Sequence, residues 1–216
     1  MATYVKDTFT DTNGTVLSSH TPDIGGAWSE VGGGATSNIT IQSDTIQQAL
    51  FGNSKAVNAT TASTADYQVS IDVIMSAATA GVDEVGVMGR GNFGAGNSYI
   101  VYYDTDFTTP NQTVVLSSFA SGSETQLATY ALTYVQGQTH NVMLKMQGST
   151  ISMLVDNVVQ GSVTDTTWTT GTNIGIWTDT GYVQSLLGDN FLAQDIPSSG
   201  GTAPTPHMCA SMGVGT

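Results

Sequence analysis

The chain has 216 residues, 39% of them hydrophobic and only 10% charged, and its formal net charge is -13 at pH 7. A chain of this length and apolar content can bury one large core in a single domain. Four Lys and Arg residues stand against 17 Asp and Glu, so the chain lacks the clustered cations that a nucleic acid or an anionic membrane attracts. We expect no nucleic-acid or membrane partner.

Cysteine content and hydropathy further restrict the class of protein to which the chain can belong. Cys209 is the single cysteine, so no intrachain disulfide can support the fold. No stretch approaches the ~18 continuous apolar residues of a membrane helix. Met1 is not followed by the basic and apolar segments of a signal peptide. We therefore expect a protein that is made in the cytoplasm and held together by its core alone.

Alternating apolar and polar residues, the pattern of half-buried strands, dominate the chain. In the stretch 67–75, Tyr67, Val69 and Ile71 face one way, while Gln68 and Ser70 face the other. Candidate strands lie, in chain order, at 6–10, 27–31, 38–41, 49–51, 55–58, 67–75, 84–90, 98–104, 113–118, 124–130, 141–147, 151–155, 160–163, 173–178 and 186–195. So many short strands separated by turns predict an all-β sandwich or barrel.

The turns agree with this class, and helical patterns are nearly absent. Gly148-Ser149 is predicted to form a tight turn, and Asp156-Asn157 suits a two-residue hairpin because both residue types tolerate positive φ. No segment has a sustained apolar period of 3.6 residues. At most one short helix is predicted, with 45–48 and 186–187 as weak candidates.

The two ends of the β-rich region are predicted to lie side by side. Strand-like sequence surrounds Asp7-Thr8-Phe9 near the start and Asp189-Asn190-Phe191 near the end, and in two-sheet sandwiches the first strand often lies beside the last. We therefore assign residues 1–196 to one β-sandwich. After Ile196 the composition changes to Gly, Pro, Ser and Thr, which is typical of a linker. Residues 197–216 are predicted to form an extended C-terminal arm.

Several of these stretches resemble the concanavalin A-like, laminin-G-like jelly-roll superfamily. They are Asp7-x-Phe9 with Trp28, the run Tyr-Ile-Val-Tyr-Tyr-Asp at 99–104, the stretch 137–178 with its Asp156-Asn157 hairpin and Gly175-Ile176-Trp177, and the closing Asp189-Asn190-Phe191. The resemblance covers about residues 5–196 and implies a two-sheet antiparallel jelly-roll sandwich. It implies no single function, because this fold serves lectins, glycosidases, adhesion modules and virion proteins.

Catalytic motifs are not recognisable in the sequence. Retaining glycosidases of this superfamily carry Glu-x-Asp-x-x-Glu along one strand, which sets two carboxylates ~5 Å apart across the sugar bond. Here Asp83-Glu84 is the one adjacent acidic pair, and apolar residues follow it. A Ser-His-Asp site lacks the Gly-x-Ser-x-Gly turn that would present its nucleophile. We expect no catalytic residues and predict that the protein is not an enzyme.

A structural calcium ion is the one candidate cofactor, because many jelly rolls hold one and calcium takes six to eight oxygen ligands. If the terminal strands pair, Asp7 and Asp189 approach each other, with Asn190 nearby, and these three residues form the candidate site. Asp104-Thr105-Asp106 is a second option. The competing interpretation is that the two Asp side chains are exposed or accept hydrogen bonds from turn amides.

Sugar binding by a protein of this fold needs an aromatic ring that can stack on a pyranose. Trp168, in a polar stretch rich in Thr, is the candidate platform, and Tyr102, in the predicted strand 98–104, is a second candidate. Packing of both rings in the core is the competing interpretation.

The Thr- and Gly-rich, cysteine-poor composition is similar to that of jelly-roll domains in structural proteins of tailed bacteriophages. On that resemblance we expect a virion protein that decorates or cements the capsid or forms part of a head or tail appendage. Its partners would be capsid or tail subunits, and symmetry favours a homo-oligomer such as a trimer. The arm would provide the anchor, through Pro204, Pro206, His207, Met208, Cys209 and Met212. The alternative function is a lectin-like, carbohydrate-binding module that recognises a host glycan.

Overall fold

A computed structural model describes residues 1–31, 39–50, 52–76, 82–106, 111–180 and 186–197, apart from the side chains of Asp106 and Asn111. Within these ranges the chain forms fifteen strands and two 3-10 turns, Leu17–Ser19 and Phe93–Ala95. The strands are β1 (Thr3–Asp7), β2 (Trp28–Glu30), β3 (Ile39–Gln42), β4 (Thr45–Gln48), β5 (Gly52–Asn58), β6 (Tyr67–Met75), β7 (Val82–Gly89), β8 (Ser98–Asp106), β9 (Asn111–Ala120), β10 (Ser123–Ala131), β11 (Thr139–Gln147), β12 (Thr150–Val155), β13 (Val158–Thr164), β14 (Ile174–Thr180) and β15 (Leu186–Asp195).

The strands of the described ranges form two antiparallel sheets. The eight-stranded sheet has the order β13-β12-β11-β6-β15-β4-β3, and β1 also pairs with β15. The seven-stranded sheet has the order β10-β9-β8-β7-β14-β5-β2. Several neighbours in each sheet, such as β6 and β15, are far apart in the sequence. The predicted fold class, an all-β, two-sheet antiparallel jelly-roll sandwich, is therefore confirmed.

The predicted pairing of the first and last strands is present. Asp7 of β1 lies opposite Phe191 of β15, and the backbone nitrogen of Ala2 donates a hydrogen bond of 2.7 Å to the Asp195 carboxylate. The strands end at Asp195. Of the predicted arm, residues 197–216, only Pro197 lies inside the described ranges.

The main core lies between the two sheets and follows directly from the alternating pattern. Val69, Ile71 and Val73 on β6 are fully buried and meet Val87 and Ile176 from the facing sheet in one apolar cluster. Burying each such side chain stabilises the fold by about 1.5–3 kcal/mol relative to leaving it in water. A single core therefore joins strands from both halves of the chain.

The local predictions were right for the hairpin and wrong for the short helix. Asp156 and Asn157 have φ values of 51° and 66° and connect β12 to β13, as their residue types predict. The segment 45–48 is strand β4 instead of a helix, because Ile46 pairs with Ile41 and packs into the main core. Likewise, 186–187 begins β15. None of the helical turns in the described ranges is long and apolar enough to cross a membrane.

Candidate functional site

The outer face of the seven-stranded sheet carries a second apolar cluster, here called the outer cluster, which is separate from the main core. Along β8, Tyr99 and Val101 point into the main core, whereas Ile100 and Tyr102 point outward, because successive side chains alternate. The outer cluster consists of Met88, Phe93, Ile100, Tyr102, Val115, Phe119 and Trp177. Trp177 is 4% exposed and Tyr102 is 5% exposed, so neither ring is an open platform.

Carboxylates from neighbouring strands border the outer cluster. Glu84 on β7 lies opposite Asp179 on β14 and opposite Asp104 on β8, and directly opposed residues have Cβ atoms about 5 Å apart. The indole nitrogen of Trp177 donates a hydrogen bond of 2.6 Å to Oε2 of Glu84. The hydroxyl of Tyr102 donates one of 2.8 Å to Glu124 Oε1. The four acids of this row lie on four strands, of which only β7 and β8 are consecutive in the chain.

The apolar setting changes the protonation of Glu84. Burial raises the pKa of this carboxyl to about 8. The hydrogen bond from Trp177 opposes the rise, and the negative charges of Asp179, Asp104 and Glu124 add to it. Glu84 is therefore mostly protonated at neutral pH. No pattern along a single strand marks this arrangement, because its acids lie on separate strands and come together only when the sheet forms.

Trp168 occupies a different place, where the segment that follows β13 packs against the segment between β7 and β8. It lines a depression of about 360 Å³, here called the Trp168 depression, with seven small or polar residues: Gly91, Asn92, Asn97, Thr167, Thr169, Thr170 and Gly171. None of these lining residues carries a charge. The volume is near the lower end of the range for small-molecule sites, roughly 300–1,000 Å³.

The two segments that form the Trp168 depression are in close contact. A Cβ atom on Gly171 would lie 1.9 Å from the backbone nitrogen of Gly91, so only glycine permits this approach. The side-chain amide of Asn173 donates a hydrogen bond of 2.8 Å to the carbonyl of Gly91. The depression is therefore built into the fold.

Hydrogen bonds orient two side-chain amides of the depression. Oδ1 of Asn92 accepts from the backbone nitrogen of Ala95 at 3.3 Å, and Oδ1 of Asn97 accepts from that of Ser121 at 2.8 Å. Each oxygen accepts one hydrogen bond and has a second acceptor site, so these amides can offer both donors and an acceptor to a ligand or water. Together with the Thr hydroxyls, they form a neutral lining that can hydrogen-bond a polyol beside the indole of Trp168.

The candidate calcium residues belong to a network of hydrogen bonds. Asp7 is 1% exposed and accepts hydrogen bonds from three donors, namely the indole of Trp28 (2.7 Å), the ring of His20 (2.9 Å) and the backbone nitrogen of Phe9 (2.8 Å). Asp189 accepts from the backbone and the side chain of Asn190.

Two observations bear on calcium binding at these residues. Asp7 already uses both carboxylate oxygens, and no group of three His, Cys, Asp or Glu side chains within the described part of the chain is arranged to hold a metal ion. Calcium binding at Asp7, Asp189 and Asn190 stays a prediction.

The two candidate sugar-binding rings are not brought together. Trp168 lines the depression, whereas Tyr102 is buried in the outer cluster, so a glycan role for Tyr102 stays a prediction without an exposed ring to support it. The predicted anchor residues Pro204, Pro206, His207, Met208, Cys209 and Met212 lie outside the described residues.

No known protein-family profile matches the sequence, and no curated protein matches it. Solved structures do share the fold. The carbohydrate-binding module CBM66 from Bacillus subtilis has a TM-score of 0.58 at 16% identity, with 80% of this chain and 94% of that chain covered. Bacillus licheniformis β-glucanase has a TM-score of 0.58 at 11% identity, with 91% and 99% covered. The exoplasmic/lumenal domain of VIP36, in its Ca²⁺/Man3GlcNAc-bound form, has a TM-score of 0.55 at 11% identity, with 78% and 83% covered. The chain therefore has the concanavalin A-like jelly-roll fold.

Proposed function

We propose that this protein is a carbohydrate-binding module and that the Trp168 depression receives a neutral sugar ring. The observation that carries the proposal is the composition of the depression: one indole surrounded by amides, hydroxyls and glycines, with no charged side chain in the lining. Sugars present an apolar ring face and several hydroxyls, so an aromatic ring beside neutral hydrogen-bonding groups complements both.

The structural neighbours support this proposal at the level of fold. One is described as a carbohydrate-binding module, one as a glucanase, and one contains a bound Man3GlcNAc. Binding modules and enzymes occur on the same fold, so only the residues of the site can distinguish the two functions. The Trp168 depression supports binding, because none of its lining residues within the described part of the chain is a carboxylate that could act as an acid or base.

A glycan array followed by calorimetry on the best ligand tests the proposal. Trp168→Ala should weaken binding at least tenfold, which corresponds to about 1.4 kcal/mol. Tyr102→Phe serves as the control, because it keeps the buried ring and removes only a hydroxyl that faces Glu124; its affinity should match that of the wild type. Unchanged binding by Trp168→Ala, or no glycan bound by the wild type, would contradict the proposal.

We also propose that the protein is not an enzyme, although the acid row at the outer cluster offers one specific objection. A protonated Glu84 beside Asp104 and Asp179 has the chemistry of a general acid near a base. Against this, Glu84 is tied to the buried indole of Trp177. A reducing-sugar assay on a panel of polysaccharides should show no hydrolysis. Hydrolysis that disappears in Glu84→Gln would identify the acid row as catalytic instead.

The interpretation as a virion structural protein stays a separate prediction. It depends on the arm, of which only Pro197 is described, and the three structural neighbours named above are a carbohydrate-binding module, a glucanase and the exoplasmic/lumenal domain of VIP36. Deleting residues 197–216 should leave a folded monomer that no longer joins a larger assembly. Size-exclusion chromatography with light scattering would show this, and an unchanged oligomeric state after the deletion would count against the anchoring role.

A further inference from the structure

All three polar atoms of Trp168 are held by other parts of the protein. Its indole nitrogen donates to the carbonyl of Phe119 at 3.1 Å, and its backbone carbonyl accepts from Nη1 of Arg90 at 3.3 Å. Its backbone nitrogen donates to the hydroxyl of Tyr99 at 3.2 Å. Arg90 and Tyr99 are themselves fully buried. The position of the indole is therefore set from inside the sandwich.

The Tyr99 hydroxyl is the centre of this arrangement. It accepts the hydrogen bond from Trp168 and donates one of 2.6 Å to Oδ1 of Asp165. The same Asp165 oxygen accepts from the backbone nitrogen of Thr167 at 2.7 Å. One hydroxyl thus joins two points of the segment that presents the indole. Because the Tyr99 ring packs in the main core, the hydroxyl cannot follow that segment if it moves.

Near neutral pH, the protonation states of Tyr99 and Asp165 favour the hydrogen bond between them. Burial and the hydrogen bond to Asp165 raise the pKa of Tyr99 to about 12. Partial burial of Asp165 works against ionisation, but its hydrogen bonds to Tyr99 and Thr167 outweigh that effect and lower its pKa. The pair is therefore a neutral donor and an ionised acceptor, a combination that gives stronger hydrogen bonds than two neutral groups do.

We propose that Tyr99 is a positioning residue for sugar binding: it does not line the Trp168 depression but fixes the indole that does. This inference rests on the proposed function. Locking an aromatic ring before the ligand arrives improves affinity because the cost of ordering the side chain is met during folding. Without the hydroxyl, the segment 165–168 loses two hydrogen bonds. Trp168 then keeps only the bonds to Phe119 and Arg90, so the position of its ring is less restricted.

Tyr103 supplies a matched control on the same strand. Like Tyr99, it is fully buried in the main core. Its hydroxyl also donates to a connecting segment, the carbonyl of Leu132 at 3.0 Å. Leu132 follows β10 and does not line the Trp168 depression. Replacing either tyrosine with phenylalanine removes one buried hydroxyl and keeps the ring, so the packing in the main core stays alike in both variants. Tyr99→Phe removes two hydrogen bonds and Tyr103→Phe one, so Kd rather than stability is the readout that separates them.

The test compares Tyr99→Phe with Tyr103→Phe in two measurements. With the best ligand from the glycan array, Tyr99→Phe should raise Kd about tenfold, as expected for losing a hydrogen bond to a charged group. Tyr103→Phe should leave Kd within about twofold, the spread expected of a remote substitution. Equal Kd values for the two variants would overturn the positioning role.

The second measurement needs no ligand and keeps the two proposals distinguishable. The indole N–H signal of Trp168, assigned in a ¹H–¹⁵N spectrum with Trp168→Phe, should exchange faster with solvent in Tyr99→Phe. The signals of Trp28 and Trp177 should not change, and Tyr103→Phe should leave all three unaffected. Unaltered exchange in Tyr99→Phe would refute positioning. A wild type that binds no glycan would refute the function alone, since the exchange result would stand.

Discussion

Trp168 and Trp177 are close in the sequence, yet their surroundings differ in burial and in charge. Trp168 is partly buried in a neutral lining of amides and hydroxyls, whereas Trp177 is 4% exposed and bonded to Glu84 within a row of acids. Both rings pack against an apolar cluster, but Trp168 also lines the depression and is the candidate ligand platform, whereas Trp177 is buried in the outer cluster. Residue type alone therefore says little about sugar binding until burial and neighbouring charges are known.

The largest expected effect is the loss of stability when each tryptophan is replaced with alanine, and this loss should differ between Trp177 and Trp168. Trp177→Ala should lower the free energy of unfolding by about 3–5 kcal/mol, because it empties a buried site. Trp168→Ala should cost only about 1–2 kcal/mol, since less of its surface is removed from water on folding. Urea denaturation followed by circular dichroism measures both. A larger loss of unfolding free energy in Trp168→Ala than in Trp177→Ala would show that Trp168 contributes more to packing than Trp177 does.

The pH dependence of stability tests whether the surroundings of Trp177, unlike the lining of the Trp168 depression, contain a buried carboxyl group. The pKa of Glu84 is about 8 in the folded protein against an ordinary 4.5, so the unfolded chain releases this proton first as pH rises. The stability contributed by Glu84 is fully present below about pH 4.5 and is lost as pH increases to about 8. The free energy of unfolding should fall by up to roughly 4 kcal/mol over that interval.

Glu84→Gln is the control for this pH effect, because the amide imitates the protonated acid. The pH effect of Glu84 should be read from the difference in the free energy of unfolding between the wild type and Glu84→Gln. His20 also makes this free energy fall as pH rises, but it does so equally in both proteins. Burial alone would lower the pKa of His20, but its hydrogen bonds to Asp11 and Asp7 raise it. Identical stability curves for the wild type and Glu84→Gln between pH 4.5 and 8 would show that Glu84 is not protonated in the folded state.

The smallest expected effect concerns salt. Because the Trp168 depression has a neutral lining, Kd for a neutral glycan should change by less than about twofold when NaCl is raised from roughly 50 to 500 mM, where exposed charges are screened. Calorimetry at both concentrations checks this. A strong salt dependence would mean that ligand recognition uses charged groups outside the depression, such as the acids that border the outer cluster.

Much of the fold could be predicted from the sequence, but less of the candidate site. Alternation in β6 and β11 and the Asp156-Asn157 turn mark strands and hairpins locally. Trp168 was identifiable as a candidate because Thr residues surround it. Tyr99, which holds Trp168 through its hydroxyl, is 69 positions away in the sequence. No local pattern indicates such a contact, because it depends on which strands become neighbours in the sheet.

The sequence by itself determined that this protein is built from short strands joined by tight turns, since a period of two and turn residues with positive φ are local properties. Only the tertiary structure decided which face of each strand is covered and which distant side chains meet. Alternation shows that Tyr102 and Tyr103 point in opposite directions, but the stacking of a second sheet makes one direction the main core. The same packing places Trp168 at a neutral depression. It also buries Glu84 beside apolar side chains.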